Sequence, residues 1–251
     1  MIKRLAFALS VATLATSSFA QIASDNASNY TTATWINGSN GGTGFQSWTL
    51  SSSGAAGFSI GSSTTLNSPG ADINTAGSSF LMSSSPGVGS DATRFLVTPL
   101  SAGQTFSIDI AVNFRNGNKG IDIRDASNTN IFNLNIGGDN YTVGNATTGN
   151  GTLFGGVYSS NTAFHLTLSQ IDVNGGTWTI TRSGGLTGTA SGTYSGDVAG
   201  FHMYNFGADD VTGSNLLAFN NLSVTAIPEP SATALVGFSG LILAAVAKRR
   251  L

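Results

Sequence analysis

The chain has 251 residues, of which 40% are hydrophobic and only 9% are charged, and its formal net charge is −2. A typical globular protein carries about 25% charged residues, but the hydrophobic content and small net charge argue against charge-driven disorder. The absence of cysteine excludes disulfide frameworks and thiolate metal sites. The absence of a basic excess argues against nucleic acid as a partner.

The first twenty residues have the pattern of a secretory signal peptide. Lys3 and Arg4 precede an apolar run at 5–16, which is too short to span a bilayer, and small residues occupy both positions that define a cleavage site. We therefore expect export through the Sec machinery, with cleavage between Ala20 and Gln21. A short buried N-terminal helix is the alternative interpretation.

Residues 21–226 have a different charge balance from the whole chain. They contain five basic residues and eleven Asp, which gives a formal net charge of −6, and Glu229 is the only Glu in the chain. The other five basic residues lie in the terminal segments. No Pro-rich or Ser-rich linker and no strict repeat divides this segment, so we predict one domain.

Alternating hydrophobicity predicts that this domain is all-β. The longest alternation runs over 104–114, and shorter ones occur at 132–136 and 164–168. The parity changes within 217–224, which predicts a β-bulge near Asn220 and Asn221. Gly-rich turn signals separate the alternating segments, and further short strands are expected at 45–50, 57–60, 79–82 and 94–97. Many short strands are typical of a sandwich or a barrel, and we predict a single antiparallel β-sandwich.

Two segments of the domain resemble strands of concanavalin-like jelly-roll domains: LSAGQTFS at 100–107 and FNNLSV at 219–224. The resemblance covers about residues 35–225. It implies a two-sheet, lectin-like jelly roll whose relatives include lectins and glucanases, and a fold of this kind does not by itself decide function.

The acidic residues do not fit the glucanases that this resemblance implies. Glycoside hydrolysis needs two carboxyl groups about 5–10 Å apart, and those glucanases place Glu-x-Asp-x-x-Glu on one strand. Residues 21–226 contain no Glu, and Asp109 has no carboxylate two residues away. Asp122 and Asp125 fall on opposite faces of a continuing strand. We predict no catalytic residue, with a glycan-degrading enzyme as the less favoured alternative.

Carbohydrate binding needs aromatic rings and hydrogen-bonding groups on an accessible surface. Trp35 and Asn37 lie in a polar stretch and are the leading candidates for such contacts, together with Tyr141. Trp48 and Trp178 share parity with apolar neighbours, so we expect them in the core. Further candidate rings are Tyr158, Tyr194 and Tyr204.

The sequence also contains candidate calcium ligands and two histidines. Asp and Asn residues at 116–128 and 209–210 are oxygen ligands of the kind that Ca²⁺ prefers, although none fits EF-hand spacing. A structural calcium ion is therefore an alternative to solvated turn residues, and we predict no metal ligand. His165 and His202 are interpreted as solvated or hydrogen-bonded strand residues.

The last 25 residues combine three elements with a membrane-related pattern. In order, these are Pro228, Glu229, Pro230 and Ser231; an apolar run at 232–247; and Lys248, Arg249 and Arg250. The apolar run would form a helix of roughly 24 Å, slightly short of a bilayer core of ~30 Å. We predict a transmembrane stop-transfer helix whose basic tail stays in the cytoplasm.

This tripartite tail at 227–251 resembles the PEP-CTERM sorting signal of Gram-negative bacteria. The resemblance implies transient anchoring in the inner membrane, recognition and cleavage by an exosortase, and delivery to the cell surface or exopolysaccharide matrix. A simple C-terminal anchor is the alternative. We therefore expect a non-catalytic surface or matrix protein, with a carbohydrate-binding, lectin-like module that binds extracellular polysaccharide as the alternative.

Overall fold

The computed structural model describes residues 20–65, 70–209 and 214–226. The predicted signal peptide before Ala20 and the predicted sorting signal at 227–251 lie outside the described residues. Residues Gln21–Ala226 form one compact unit. Across the described ranges, no helix has the length and apolar character needed to cross a membrane.

The described residues form fifteen β-strands and three short 3-10 helices. The strands are β1 (Ala20–Asp25), β2 (Thr49–Ser52), β3 (Gly57–Gly61), β4 (Ser79–Ser83), β5 (Gly89–Phe95), β6 (Gln104–Val112), β7 (Asn118–Arg124), β8 (Asn130–Asn135), β9 (Thr142–Gly144), β10 (Gly151–Thr152), β11 (Thr162–Asp172), β12 (Gly175–Gly184), β13 (Gly188–Ser195), β14 (Gly200–Phe206) and β15 (Leu216–Ala226). The 3-10 helices are Ala27–Asn29, Ser63–Thr65 and Phe154–Gly156.

These strands make two antiparallel sheets, which confirms the all-β prediction. Sheet 1 has the order β13-β12-β11-β6-β15-β4-β3, and β1 also pairs with β15. Sheet 2 has the order β10-β9-β8-β7-β14-β5-β2. Strands at 57–60 and 79–82 lie close to where they were expected, whereas those expected at 45–50 and 94–97 are displaced to Thr49–Ser52 and Gly89–Phe95.

The predicted bulge in β15 is confirmed. The register of β15 against β6 shifts between Asn220 and Ser223. Asn221 has a φ of 55°, a left-handed conformation that Asn tolerates better than most residues. The extra residue lets Phe219 and Val224 both point into the core, although they have opposite parity in the sequence.

The inner faces of the two sheets share one hydrophobic core. Phe106 of sheet 1 stacks on Phe201 of sheet 2 with ring centroids 5.6 Å apart, and Trp178 of sheet 1 lies 5.5 Å from Phe132 of sheet 2. Full burial of each such side chain contributes about 1.5–3 kcal/mol. Trp48 and Trp178 are both buried, as the sequence pattern predicts.

Three of the five basic side chains of the domain also point inward: those of Arg94, Lys119 and Arg182. Arg94 of β5 forms a fully buried ion pair with Asp25 of β1 and therefore links the two sheets. Its guanidinium carbon lies 4.7 Å from the Trp48 ring centroid. Lys119 Nζ donates to the carbonyl oxygens of Ser214 and Leu216, and burial lowers its pKa to about 7.

Candidate functional site

The structure places two of the predicted carbohydrate contacts inside the protein. Trp35 is 1% exposed and lies 4.8 Å from Phe80 and 5.4 Å from Phe58, measured between ring centroids. Its expected exposure is wrong, because the indole enters the core even though the segment around it is rich in Thr, Asn, Gly and Ser. The large apolar area of a Trp ring favours burial wherever the fold offers space.

Tyr141 is also buried, with an exposed fraction of 0%. Its ring packs edge-on against Phe164 at 4.9 Å and lies beneath the Arg115 guanidinium at 5.1 Å. A sugar therefore has no access to Tyr141. Asn37 is exposed, and its side-chain oxygen accepts a hydrogen bond from the backbone N–H of Leu50. Its contact with a sugar stays a prediction, and neither of the two rings predicted to share that contact is accessible.

A different set of rings lies on the outer face of sheet 2. The sequence of β14 alternates, so that Phe201 and Met203 point into the core while His202, Tyr204 and Phe206 point outward. The His202 and Tyr204 ring centroids are 5.9 Å apart, and Phe206 is 50% exposed. Three rings therefore follow one another along a single strand.

Glycines on both flanking strands make room for these rings. Gly89 of β5 is the register partner of Phe206, and Gly120 of β7 is the partner of Tyr204. A Cβ atom at Gly89 would lie 2.7 Å from Phe206 Cδ2, and one at Gly120 would lie 2.3 Å from Tyr204 Oη. The two rings therefore lie over glycine backbone, where a side chain would otherwise stand.

Charged and polar side chains of β5, β7 and β8 surround this strand. His202 lies between two carboxylates, with Nε2 2.8 Å from Asp91 Oδ1 and Nδ1 3.3 Å from Asp122 Oδ2. Arg124 Nη2 donates to Asp122 Oδ2 at 2.7 Å. Asn133 Nδ2 donates to both Asp122 Oδ1 at 2.7 Å and Tyr204 Oη at 3.0 Å.

We refer to this surface as the aromatic face. It is made by Asp91, Asp122, Arg124, Asn133, His202, Tyr204 and Phe206. Most of these side chains line an open cavity of about 390 Å³, next to a second one of about 210 Å³ that reaches Arg124. The arrangement offers ring surface and fixed hydrogen-bonding groups side by side.

The hydrogen bonds set the protonation of the aromatic face. Burial alone raises the pKa of Asp122, but hydrogen bonds from His202 and Asn133 and the charge of Arg124 outweigh it, so this pKa lies below its usual value. Burial alone lowers the pKa of His202, but its bonds to Asp122 and Asp91 raise it overall. Burial raises the pKa of Tyr204 to about 12. At neutral pH Tyr204 therefore keeps a proton that it can donate.

The outer face of sheet 1 holds the second histidine. His165 Nδ1 lies 2.7 Å from Asp109 Oδ1, and Asn221 Nδ2 donates to the other Asp109 oxygen at 2.8 Å. Both histidines are therefore hydrogen-bonded strand residues, as interpreted from the sequence. In the part of the chain that the structure describes, no three His, Asp or Glu side chains are arranged to hold a metal ion.

Sequence reasoning included Tyr204 among candidate rings but did not find the aromatic face. The available signal was the alternation in the FHMYNF segment at 201–206, which places three rings on one side of a strand. Asp91, Asp122 and Asn133 gave no comparable signal, because β5 and β7 meet β14 only through pairing between strands that are far apart in sequence. Asn133 then reaches the site from β8, the neighbour of β7.

No protein-family model and no curated protein sequence matches the chain. Among solved structures, it is similar to a sialidase, with 12% identity and a TM-score of 0.43 over 71% of this chain and 17% of the sialidase chain. It is similar to the alginate lyase AlgAT5 from polysaccharide lyase family 7, with 13% identity and a TM-score of 0.37 over 61% of this chain and 80% of the lyase.

It is also similar to the carbohydrate recognition domain of Emp46p in its metal-free form, with 9% identity and a TM-score of 0.33 over 70% of this chain and 87% of that domain. The chain spans less than a fifth of the length of the sialidase. Similarity at these levels transfers no ligand and no activity to this chain.

Proposed function

We propose that the chain is an exported, non-catalytic protein of the cell surface or exopolysaccharide matrix that binds polysaccharide through the aromatic face. In this proposal the two sheets form a lectin-like jelly roll. One observation carries it: three outward rings of β14 lie beside glycines on the flanking strands and next to hydrogen-bonded polar side chains. Sugars pack their C–H faces on rings while their hydroxyl groups bond to such side chains.

The carboxylates of the aromatic face favour binding over hydrolysis. A glycosidase needs a carboxylic acid whose pKa is raised, so that it can donate a proton to the leaving group. The pKa of Asp122 is lowered instead, because three neighbouring groups stabilise its ionised form. Asp91 is 52% exposed and contacts His202 through Oδ1, so it can accept hydrogen bonds from sugar hydroxyl groups. Asp122 is buried, and it holds His202 in place.

Calorimetric titration of the purified protein with a panel of polysaccharides tests the binding site. Phe206→Ala removes ring stacking of about 0.5–1.5 kcal/mol, so we expect Kd to rise by about two- to twelvefold. Thr181→Ala, an exposed change on the outer face of sheet 1, serves as the matched control and leaves Kd unchanged. Binding that survives both Phe206→Ala and Tyr204→Ala, or no binding to any polysaccharide, would overturn the proposal.

A separate experiment tests the absence of catalysis. The purified protein is incubated with the same polysaccharides, and new reducing ends and new carbon–carbon double bonds are measured. We expect neither product. Product release that is lost in His202→Ala or Tyr204→Ala would instead make the aromatic face an active site.

Sorting through the tail is tested independently of binding. We propose that an exosortase processes the protein at Pro228, Glu229 and Pro230, on the strength of the sequence pattern at 227–251. Replacing these three residues by Ala is expected to leave full-length protein in the inner membrane, measured by fractionation and immunoblotting. Unchanged processing and release of that variant would count against an exosortase.

A further inference from the structure

We infer that the polysaccharide bound by the aromatic face is electrically neutral, and that uronate-rich or sulfated polymers are rejected. This inference rests on the proposed glycan-binding function and adds the chemical class of the ligand. The observation behind it is the distribution of charge: the fold turns three of the five cations of the domain inward and leaves most of the described carboxylates outside.

The cations are mostly inaccessible to a ligand. Arg94, Lys119 and Arg182, three of the five basic residues in 21–226, are buried. Arg94 is paired with Asp25, and Lys119 bonds to backbone carbonyls. Among the described Asp residues, only Asp25 and Asp122 are buried. The outer surface of the domain is therefore more acidic than its composition suggests.

On the aromatic face itself, the one guanidinium is already engaged. Arg124 donates to Asp122 and to the carbonyl oxygen of Asn128, and its Nε, which has no partner among the described residues, is buried. His202 lies between Asp91 and Asp122. Two carboxylates thus balance one guanidinium and one imidazole when His202 is protonated, and the face is negative when it is not. An incoming carboxylate or sulfate would meet no unpaired cation there.

Asp91 makes the selection against anions sharper. Its side chain is 52% exposed, and one of its oxygens bonds to His202. A carboxylate accepts hydrogen bonds and donates none, so it suits the hydroxyl groups of a neutral sugar and repels a second carboxylate. Tyr204 Oη accepts from Asn133 and can donate its own hydrogen to a sugar oxygen.

The test compares ligands that differ only at one carbon. A neutral polysaccharide that binds the protein is oxidised selectively at C6, which converts the CH₂OH group into a carboxylate and keeps the linkages. We expect Kd at low salt to be at least about tenfold higher for the oxidised polymer, with the ratio shrinking as salt screens the repulsion. Equal or tighter binding of the oxidised polymer would overturn the inference.

Two variants test whether Asp91 causes the preference for neutral over anionic polymers. Asp91→Asn keeps a hydrogen-bond acceptor but removes the charge, so we expect it to bring the affinity for the oxidised polymer to within about threefold of the neutral one. Asp72→Asn changes the net charge equally but lies in the segment packed on sheet 1, so it preserves the wild-type ratio. Equal effects of the two variants would refute a local role of Asp91.

The outcomes for the two proposals are distinguishable. If the oxidised polymer binds well and Phe206→Ala still weakens binding, the glycan-binding function stands and the neutral-ligand inference falls. If no polymer binds in either form, both fall. If only neutral polymers bind and Phe206→Ala weakens them, both are supported.

Discussion

The outer faces of the two sheets each carry a histidine that bonds to an aspartate on a neighbouring strand. On sheet 1, His165 Nδ1 lies 2.7 Å from Asp109. On sheet 2, His202 Nε2 lies 2.8 Å from Asp91, and a second carboxylate, Asp122, approaches its other nitrogen. Judged by the histidine–aspartate pair alone, the two faces look alike.

Their surroundings differ. The strand positions beside His165 carry small hydroxyl side chains such as Thr167 and Thr181, and Ala71 and Ile73 pack over another part of the same face. Beside His202, the same strand carries Tyr204 and Phe206 over flanking glycines. A histidine–aspartate pair therefore gives the ring nitrogen of a strand histidine a hydrogen-bond partner on either sheet, and it does not by itself mark a site. The rings and glycines are what distinguish sheet 2 as a candidate site.

The largest expected effect on stability comes from the ion pair between the two sheets. Its loss should destabilise the whole fold, whereas the changes below affect one outer face. Asp25→Asn leaves the Arg94 guanidinium buried without its ionic partner, and breaking such a pair costs about 3–5 kcal/mol. Chemical denaturation measures the free energy of unfolding, with the exposed Asp139→Asn as control. A loss below about 1 kcal/mol would show that the pair is not needed to hold β1 against sheet 2.

A smaller effect is expected from filling the space beneath Tyr204. A Cβ atom at Gly120 would lie 2.3 Å from both Tyr204 Oη and the backbone oxygen of Leu134, so Gly120→Ala should lower the free energy of unfolding by about 1–3 kcal/mol and weaken glycan binding. Gly144→Ala in the same sheet is the matched control, since its Cβ would meet nothing closer than 3.9 Å. Equal behaviour of the two variants would contradict the proposed role of Gly120.

The pH dependence of stability should differ between the wild type and His202→Gln. Because the folded-state pKa of His202 is raised, its stabilisation is complete below its unfolded value of about 6.5 and is lost as pH rises through the folded-state pKa. The difference in unfolding free energy between the two proteins should therefore be larger at about pH 5 than at about pH 9. A difference that grows with pH would contradict this assignment.

The smallest effect is expected on sheet 1. His165 and Asp109 form a solvent-exposed pair, so Asp109→Asn should cost no more than about 1 kcal/mol. The hydrogen bond to Asp109 is the main cause of the raised pKa of His165, and NMR titration of the variant should show that pKa falling. Glycan binding should not change; a loss of affinity would move the binding site to sheet 1.

Local patterns predicted the features that depend on a residue and its near neighbours. Alternation over 104–114 predicted β6, and the change of parity predicted the bulge at Asn220 and Asn221, because strand faces follow from a period of two. The same logic failed for Trp35. A segment rich in Thr, Asn, Gly and Ser does not reveal that the chain folds its indole into the core.

The sequence by itself determined an all-β domain with excess Asp and no Glu, and therefore the kinds of side chain available to any site. Only the tertiary structure decided where those side chains meet. Asp91, Asp122 and His202 come together because β14 pairs with β5 on one side and β7 on the other. Such pairing between distant segments is set by packing of the whole core, which no local pattern encodes. The same packing turned three of the five cations of the domain inward and left most of the described carboxylates at least partly exposed to solvent.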